Sequence, residues 1–477
     1  MINEKHISLL SAAGLVLVGI LVLAWWFSYD PTREFIEHGP GMDNQDASKR
    51  GTWSVVNIGQ DYTRFDSLTT EISGFWPRFR GPFYDNISRE SILLQSDWST
   101  PPDILWRVSL GEGHAAPAVA KGRIYLLDYL EDEKADALRC FSLEDGRELW
   151  RRWYPVRVKR NHGMSRTIPA VSDSFVVTIG PRCHVMCVHS EHGELFWGID
   201  LEQEFGTEVP FWYTGQCPLI DENTAILAPG GRALMIGVDC STGEIRWETP
   251  NPDTWKMSHS SIIPMTLHNK KMYVYCMTEG VIGVSADSVD LGRLLWKSTA
   301  WSHSVIAPSP LYLGDNRILL TAGYGSGSMI IQINQTDSIY SVEVIQECKP
   351  DEGFASEQQT PILFDGHLFG VLPKDAGGLR NQFVCVDPND LTKIIWSSGK
   401  THRFGLGPYV LVNNQILLLN DDGHLHLLNA STQNYQPVTS AQILDGHDAW
   451  GPMAVVDGRL LLRDSGEMVC IHIGDRN

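Results

Sequence analysis

The 477-residue sequence has no two adjacent cysteines, no CxxC pair and no HExxH, so the common zinc signatures are missing. It also lacks a GxSxG nucleophile elbow and a P-loop. Basic residues are scarce, with 38 Lys+Arg against 57 Asp+Glu, and the net charge of −19 argues against a phosphate-neutralising, nucleic-acid-binding surface. From 104 to 477 no 3.6-residue apolar period is sustained, which excludes a helical bundle and an α/β layer fold. What is plentiful is apolar: 43% of residues are hydrophobic and 10% aromatic, enough for a large core.

One uncharged run, 7–27 (ISLLSAAGLVLVGILVLAWWF), is long enough as a helix to match a hydrocarbon core of about 30 Å. Trp25, Trp26, Phe27 and Tyr29 stand where an aromatic belt would lie, and Lys5 and the terminal amine before the run against Asp30, Arg33, Glu34 and Glu37 after it favour a cytoplasmic N-terminus. The expected organisation is therefore a cytoplasmic tail (1–6), a transmembrane anchor (7–27), a polar tether (28–75) and a folded unit (76–477) on the periplasmic side of the inner membrane. The membrane itself, and an envelope or membrane protein, are then the expected partners.

The folded unit is repetitive. A small or apolar residue before proline, followed by an alternating apolar run, recurs at Pro117, Pro169, Pro218, Pro264, Pro310, Pro361, Pro408 and Pro452, 44 to 52 residues apart. Each recurrence reads as a two-strand hairpin with Asp, Asn or Gly at its turn. Most repeats then carry a turn and a Trp four residues later, as in GRELW (146–150), GELFW (193–197), GEIRW (243–247), GRLLW (292–296) and, without the Gly, TKIIW (392–396). With Trp106, the blade-docking tryptophans are thus Trp150, Trp197, Trp247, Trp296 and Trp396, each offering a large flat surface to a neighbouring sheet. The fifth and seventh repeats lack the Trp, and their register is indistinct around Val342 and Pro437.

The last repeat stops three strands into a four-strand unit, while 104–110 (ILWRVSL) has no hairpin of its own. Pairing the two closes a ring, removes open sheet edges and predicts an all-β, eight-bladed propeller of four-stranded blades. Cys140, Cys187, Cys385 and Cys470 fall at one equivalent strand position, which points to buried free thiols rather than a disulfide framework.

The GxxxW repeat with its preceding xP hairpin resembles the pyrroloquinoline-quinone (PQQ) enzyme repeat, and FWPRFRGPFYDNIS (75–88) resembles the WPxFRGP opening of bacterial PQQ-like propellers. The resemblance spans 76–477 and implies eight blades interlocked by tryptophans. It implies little about activity, because the family includes quinoprotein dehydrogenases and the propeller subunit of the outer-membrane barrel assembly machinery. In the dehydrogenases PQQ and calcium lie at the channel mouth beside an adjacent-cysteine disulfide, which this sequence does not have.

One constellation points to a site. The loops leading into the proline-marked inner strands contain His114, His162, His259, His303, His402 and His447, and the other two carry Glu208 with Trp212, and Glu357. Trp255, Trp301, Phe354, Phe404 and Trp450 share these loops, which a propeller gathers around one end of its channel. The plain reading is that the imidazoles tie neighbouring loops together; the functional one is a polar, aromatic funnel for a ligand. The leading expectation is a non-catalytic binding or assembly scaffold with no cofactor. The alternatives are a PQQ- and calcium-dependent oxidoreductase, with Trp450 as stacking platform and Arg403 as carboxylate partner, and a sugar- or metal-binding module at the same rim.

Overall fold

The computed structural model describes residues 4–28, 56–68, 70, 72–161, 163–446 and 448–475, with side chains of the N-terminal helix given for 13–26. Eight sheets follow one another along the chain, each built from a run of antiparallel neighbours. The second blade is typical: Ala170–Val171, Phe175–Ile179, His184–His189 and Leu195–Asp200 pair in order from the channel outward. In the eighth, Ala454–Val456, Arg459–Arg463 and Glu467–His472 are completed by Ile104–Ser109, in register from Glu467↔Ser109 to Ile471↔Ile104. The ring thus closes by pairing the start of the propeller with its end, satisfying backbone groups that an open array would leave bare.

Two blades exceed four strands. The first gains Phe75–Trp76 on its inner edge and Asp61–Arg64 on its outer edge; the seventh gains Ile87–Ser88, parallel to Tyr409–Val412. Part of the stretch expected to be a tether is therefore a strand paired through Asp61↔Trp153 to Arg64↔Trp150. The fifth and seventh repeats do have fourth strands, Ile339–Cys348 and Pro437–Gln442.

The expected single-pass inner-membrane placement is corrected. Among the described residues no helix is long and apolar enough to cross a membrane. The N-terminal helix α1 runs Glu4–Ser28.

The repeat has a volume rule. Opposite each fourth-strand Trp stands a small third-strand residue: Cys470 faces Trp106, Cys140 Trp150, Cys187 Trp197, Gly237 Trp247, Gly283 Trp296 and Cys385 Trp396. A Cβ on Gly237 or Gly283 would come within 2.2 Å of its indole. The two blades without Trp reverse the volumes, with Ile330 facing Gln346 and Leu427 facing Thr439. The register shifts immediately after this position in all eight blades, a bulge that aims the larger side chain toward the next blade.

Each Trp then reaches that next blade. The indole N–H of Trp106 donates to Leu143 O at 3.1 Å, Trp150 to Glu191 O at 3.1 Å, Trp197 to Cys240 O at 2.9 Å and Trp396 to Ser431 O at 2.8 Å. The first two rings lie flat on Gly146 and Gly193, where φ is +73° and +67° and a Cβ would meet the ring at 2.7 Å. Glycine at these turns thus meets two demands, a left-handed backbone and room for the preceding blade's indole. All nine cysteines are free and buried.

The opening segment closes one end of the channel. It runs up the first blade at Trp76, accepts a hydrogen bond at Pro77 O from Val171 N of the second blade (2.8 Å), and packs Tyr84 against the third and fourth blades. Arg80, 4% exposed, donates to Thr360 O (2.7 Å) and Pro361 O (3.1 Å) of the sixth blade and to Tyr84 O (2.8 Å). Asn86 bonds to Tyr409 O, and Ile87–Ser88 descends along the seventh blade. Contacts to blades on opposite sides of the ring mean that residues 77–86 span the channel.

Candidate functional site

Above this floor, at the end where the lead-in loops converge, lies a cavity of about 110 Å³ with Phe79 at its base. Its wall includes His114, Trp212, His259, Glu357 and Trp450 of the sequence-predicted set. It also includes Arg166, Tyr324 and Gln359, which loop composition did not single out.

The lead-in loops brace one another. His114 N and Ala115 N both donate to Ser165 O (2.8 and 3.0 Å), joining the loops of the first two blades. The His114 ring stacks on Trp450 of the eighth blade, with centroids 3.4 Å apart and planes 18° apart. Gln359 of the sixth blade donates through Nε2 to Leu406 O (3.3 Å) and Trp450 O (3.0 Å).

Trp212 is placed by an irregular loop that follows a short helix, α2 (Leu201–Phe205), ended by left-handed Gly206. Trp212 and Tyr213 are both left-handed, with φ of +66° and +71°, a costly conformation for bulky side chains. The Tyr213 hydroxyl pins the turn by donating to Lys159 O (3.1 Å) and accepting from Lys159 N (2.7 Å). Trp212 thereby lies 5.5 Å from the Tyr324 ring and 6.4 Å from the His259 ring. Tyr324, also left-handed at φ +56°, comes from the turn between the second and third strands of the fifth blade.

The polar wall is electrostatically divided. Burial lowers Arg166 to about 10, so it remains a cation; its NH2 donates to Asn161 O (2.7 Å) and Gly163 O (3.1 Å). Burial, with Arg166 adding repulsion, lowers His259 to about 4, so the ring is neutral at pH 7 and donates to the backbone of the 211–213 turn. Glu357 is 4% exposed, with Oε1 3.3 Å from Lys374 Nζ. Burial and Glu357 push the Tyr324 phenol up to about 12.

Protonation of His259 is coupled to the stability of the fold. Its folded value lies below the usual ~6.5, so the unfolded chain takes up the proton first. Stability from this group is complete above pH ~6.5 and declines toward pH ~4, by up to about 3 kcal/mol. The expected ring resonance stays at its neutral position from about pH 8 to 5, and His259→Gln should flatten that part of the stability profile. An inflection near 6.5 would contradict the buried, neutral assignment.

The other sequence candidates are placed elsewhere. Trp255 (5% exposed) and Trp301 (0%) belong to interblade cores. His303 packs edge-on against Trp301, and burial lowers its pKa. His402 lies beside Tyr435, and Arg403 donates to Lys400 O and Arg380 O at the surface, so neither borders the cavity. His162 and His447 lie outside the described residues. Among the described residues no group of three His, Cys, Asp or Glu is arranged to hold a metal ion.

The family model described as outer membrane protein assembly factor BamB matches residues 133–398. The chain belongs to this family. No curated protein sequence matches it significantly. Solved structures similar to this BamB-family propeller include BamB from Moraxella catarrhalis (TM-score 0.51, 12% identity, covering 78% of this chain and 100% of that one). Quinohemoprotein alcohol dehydrogenase from Comamonas testosteroni gives 0.55 and 11%, covering 84% and 81%, and a europium-containing methanol dehydrogenase gives 0.56 and 11%, covering 82% and 90%. At these identities the likeness is one of fold, and it extends to assembly factors and dehydrogenases alike.

Proposed function

We propose that this BamB-family propeller is a non-catalytic binding scaffold that receives an extended segment of a partner polypeptide at the mouth formed by its lead-in loops. The observation that carries the reading is the blind cavity: a rigid ring, floored by Phe79, presents a concave wall of aromatic and buried polar groups at one end. Concave, largely apolar sites with a few convergent polar groups are where ligands bind. Family membership supports a role within an assembly complex.

The residues do not fit PQQ with calcium. His114 covers one face of Trp450 at 3.4 Å, so that face of the indole expected to stack on a cofactor is taken. No two cysteines are adjacent to clasp the opposite side of a quinone, and Arg403 points away from the cavity to backbone carbonyls. The described carboxylates and histidines supply no three-ligand set for calcium or a transition metal.

The test uses the full-length protein and fluorescent peptides of about ten residues, the length of a β-strand that crosses a small sheet. Saturable binding is expected, weakened at least tenfold in the Trp212→Ala/Tyr324→Ala double variant. Addition of PQQ and calcium should give neither a bound-cofactor spectrum nor dye-linked alcohol oxidation. Cofactor uptake with turnover would replace the scaffold reading by the dehydrogenase one, and absence of peptide binding would remove it.

A further inference from the structure

A buried carboxylate oxygen in the cavity wall has no partner. Glu357 Oε1 is 3.3 Å from Lys374 Nζ, but Oε2, in a side chain only 3% exposed, makes no hydrogen bond among the described residues. Leaving one charged acceptor buried and unmet is costly, and in native proteins such groups mark a place that something else completes.

We infer, resting on the scaffold reading, that the cavity takes the cationic side chain of a partner segment, Lys or Arg, with the Glu357 carboxylate as its counter-charge and Trp212 and Tyr324 as its aromatic walls. The molecule already holds one example of this chemistry. Lys374 Nζ lies 4.8 Å from the Tyr324 ring centroid while it pairs with Glu357, so an ammonium at this edge is stabilised by both groups at once. Lys374 is 63% exposed, so its ammonium pairs with Glu357 from the solvent side.

Three features favour a cation over an anion. Asp421 and Asp422, in the turn between the second and third strands of the seventh blade, and Asp448, in the eighth lead-in loop, add negative potential close to Glu357; burial, with Asp422, Asp448 and Glu357, raises Asp421 to about 6. The cavity-lining cation, Arg166, directs NH2 to the Asn161 and Gly163 carbonyls. The net charge of −19 draws basic partners over longer range. A volume of about 110 Å³ suits the head of one side chain.

The experiment compares five otherwise identical Gly/Ser/Ala peptides whose central residue is Lys, Arg, norleucine, Gln or Glu, titrated against the full-length protein at two salt concentrations. Lys and Arg peptides are expected to bind at least tenfold more tightly than norleucine, Gln or Glu, with the margin shrinking at high salt. Glu357→Gln, an isosteric change, should reduce that preference to under threefold. Lys374→Ala, at an exposed position, should enlarge the preference by removing the resident competitor. Equal binding of Lys and norleucine peptides, or tighter binding of Glu, overturns the cation assignment and leaves the scaffold reading standing. Failure of every peptide to bind defeats both.

Discussion

Truncating Trp150 to alanine is expected to lower the stability of the propeller by about 3–5 kcal/mol, read from the shift of its chemical denaturation curve. Trp150 is 2% exposed, its N–H is held by Glu191 O, and its ring lies on Gly193 of the second blade, so truncation opens a cavity at an interblade seam. The volume rule sharpens the expectation. Cys140→Leu alone overfills the position opposite the indole and should cost about 1–3 kcal/mol. Combined with Trp150→Ala it should cost less than the two losses added, because the new methyl groups enter the vacated space. Trp247, half-buried and with no acceptor for its N–H among the described residues, should lose markedly less on the same truncation. A Trp150→Ala variant within about 1 kcal/mol of the parent would show that the seams do not depend on their tryptophans.

Arg80→Ala should be comparably severe, about 3–5 kcal/mol, for a different reason. Burial lowers the guanidinium only to about 10, so it is charged at neutral pH, and three backbone carbonyls from two distant parts of the chain depend on it. Lysine should not rescue, since one ammonium cannot reproduce the planar fork that bridges Thr360, Pro361 and Tyr84. Denaturation in guanidinium measures the loss, and hydrogen exchange locates it: amides near Ile87–Ser88 and Leu411 should lose protection first. Full rescue by lysine would mean that charge alone, not geometry, anchors the segment.

The ring was legible because its information is local and repeated. The xP hairpins and GxxxW turns recur within single blades, and the unpaired strand at 104–110 matched a visible gap at the C-terminus. The channel floor was not, because its bonds to the sixth and seventh blades join residues 280 to 323 positions apart and no repeat encodes them. The site was half legible. His114, His259, Glu357 and Trp450, two to five residues ahead of their inner-strand prolines, border the cavity. Trp255 and Trp301, nine residues ahead, are still on the blade flank and pack into its core. Tyr324 and Lys374 escaped notice because turns between second and third strands emerge at the same end as the lead-in loops. GYGSGS (323–328) has the glycine-rich composition of such a turn, but composition does not encode its position over the channel.

The span of residues 77–86 across the channel gives the cavity above it a single doorway. A chain received there as proposed would insert one residue and lie across the threshold with the rest. Arrival and departure share that route, and a second visitor must wait for the first to leave. Strong attachment then has to be built sideways, from neighbouring loops around the sill, rather than by deeper penetration.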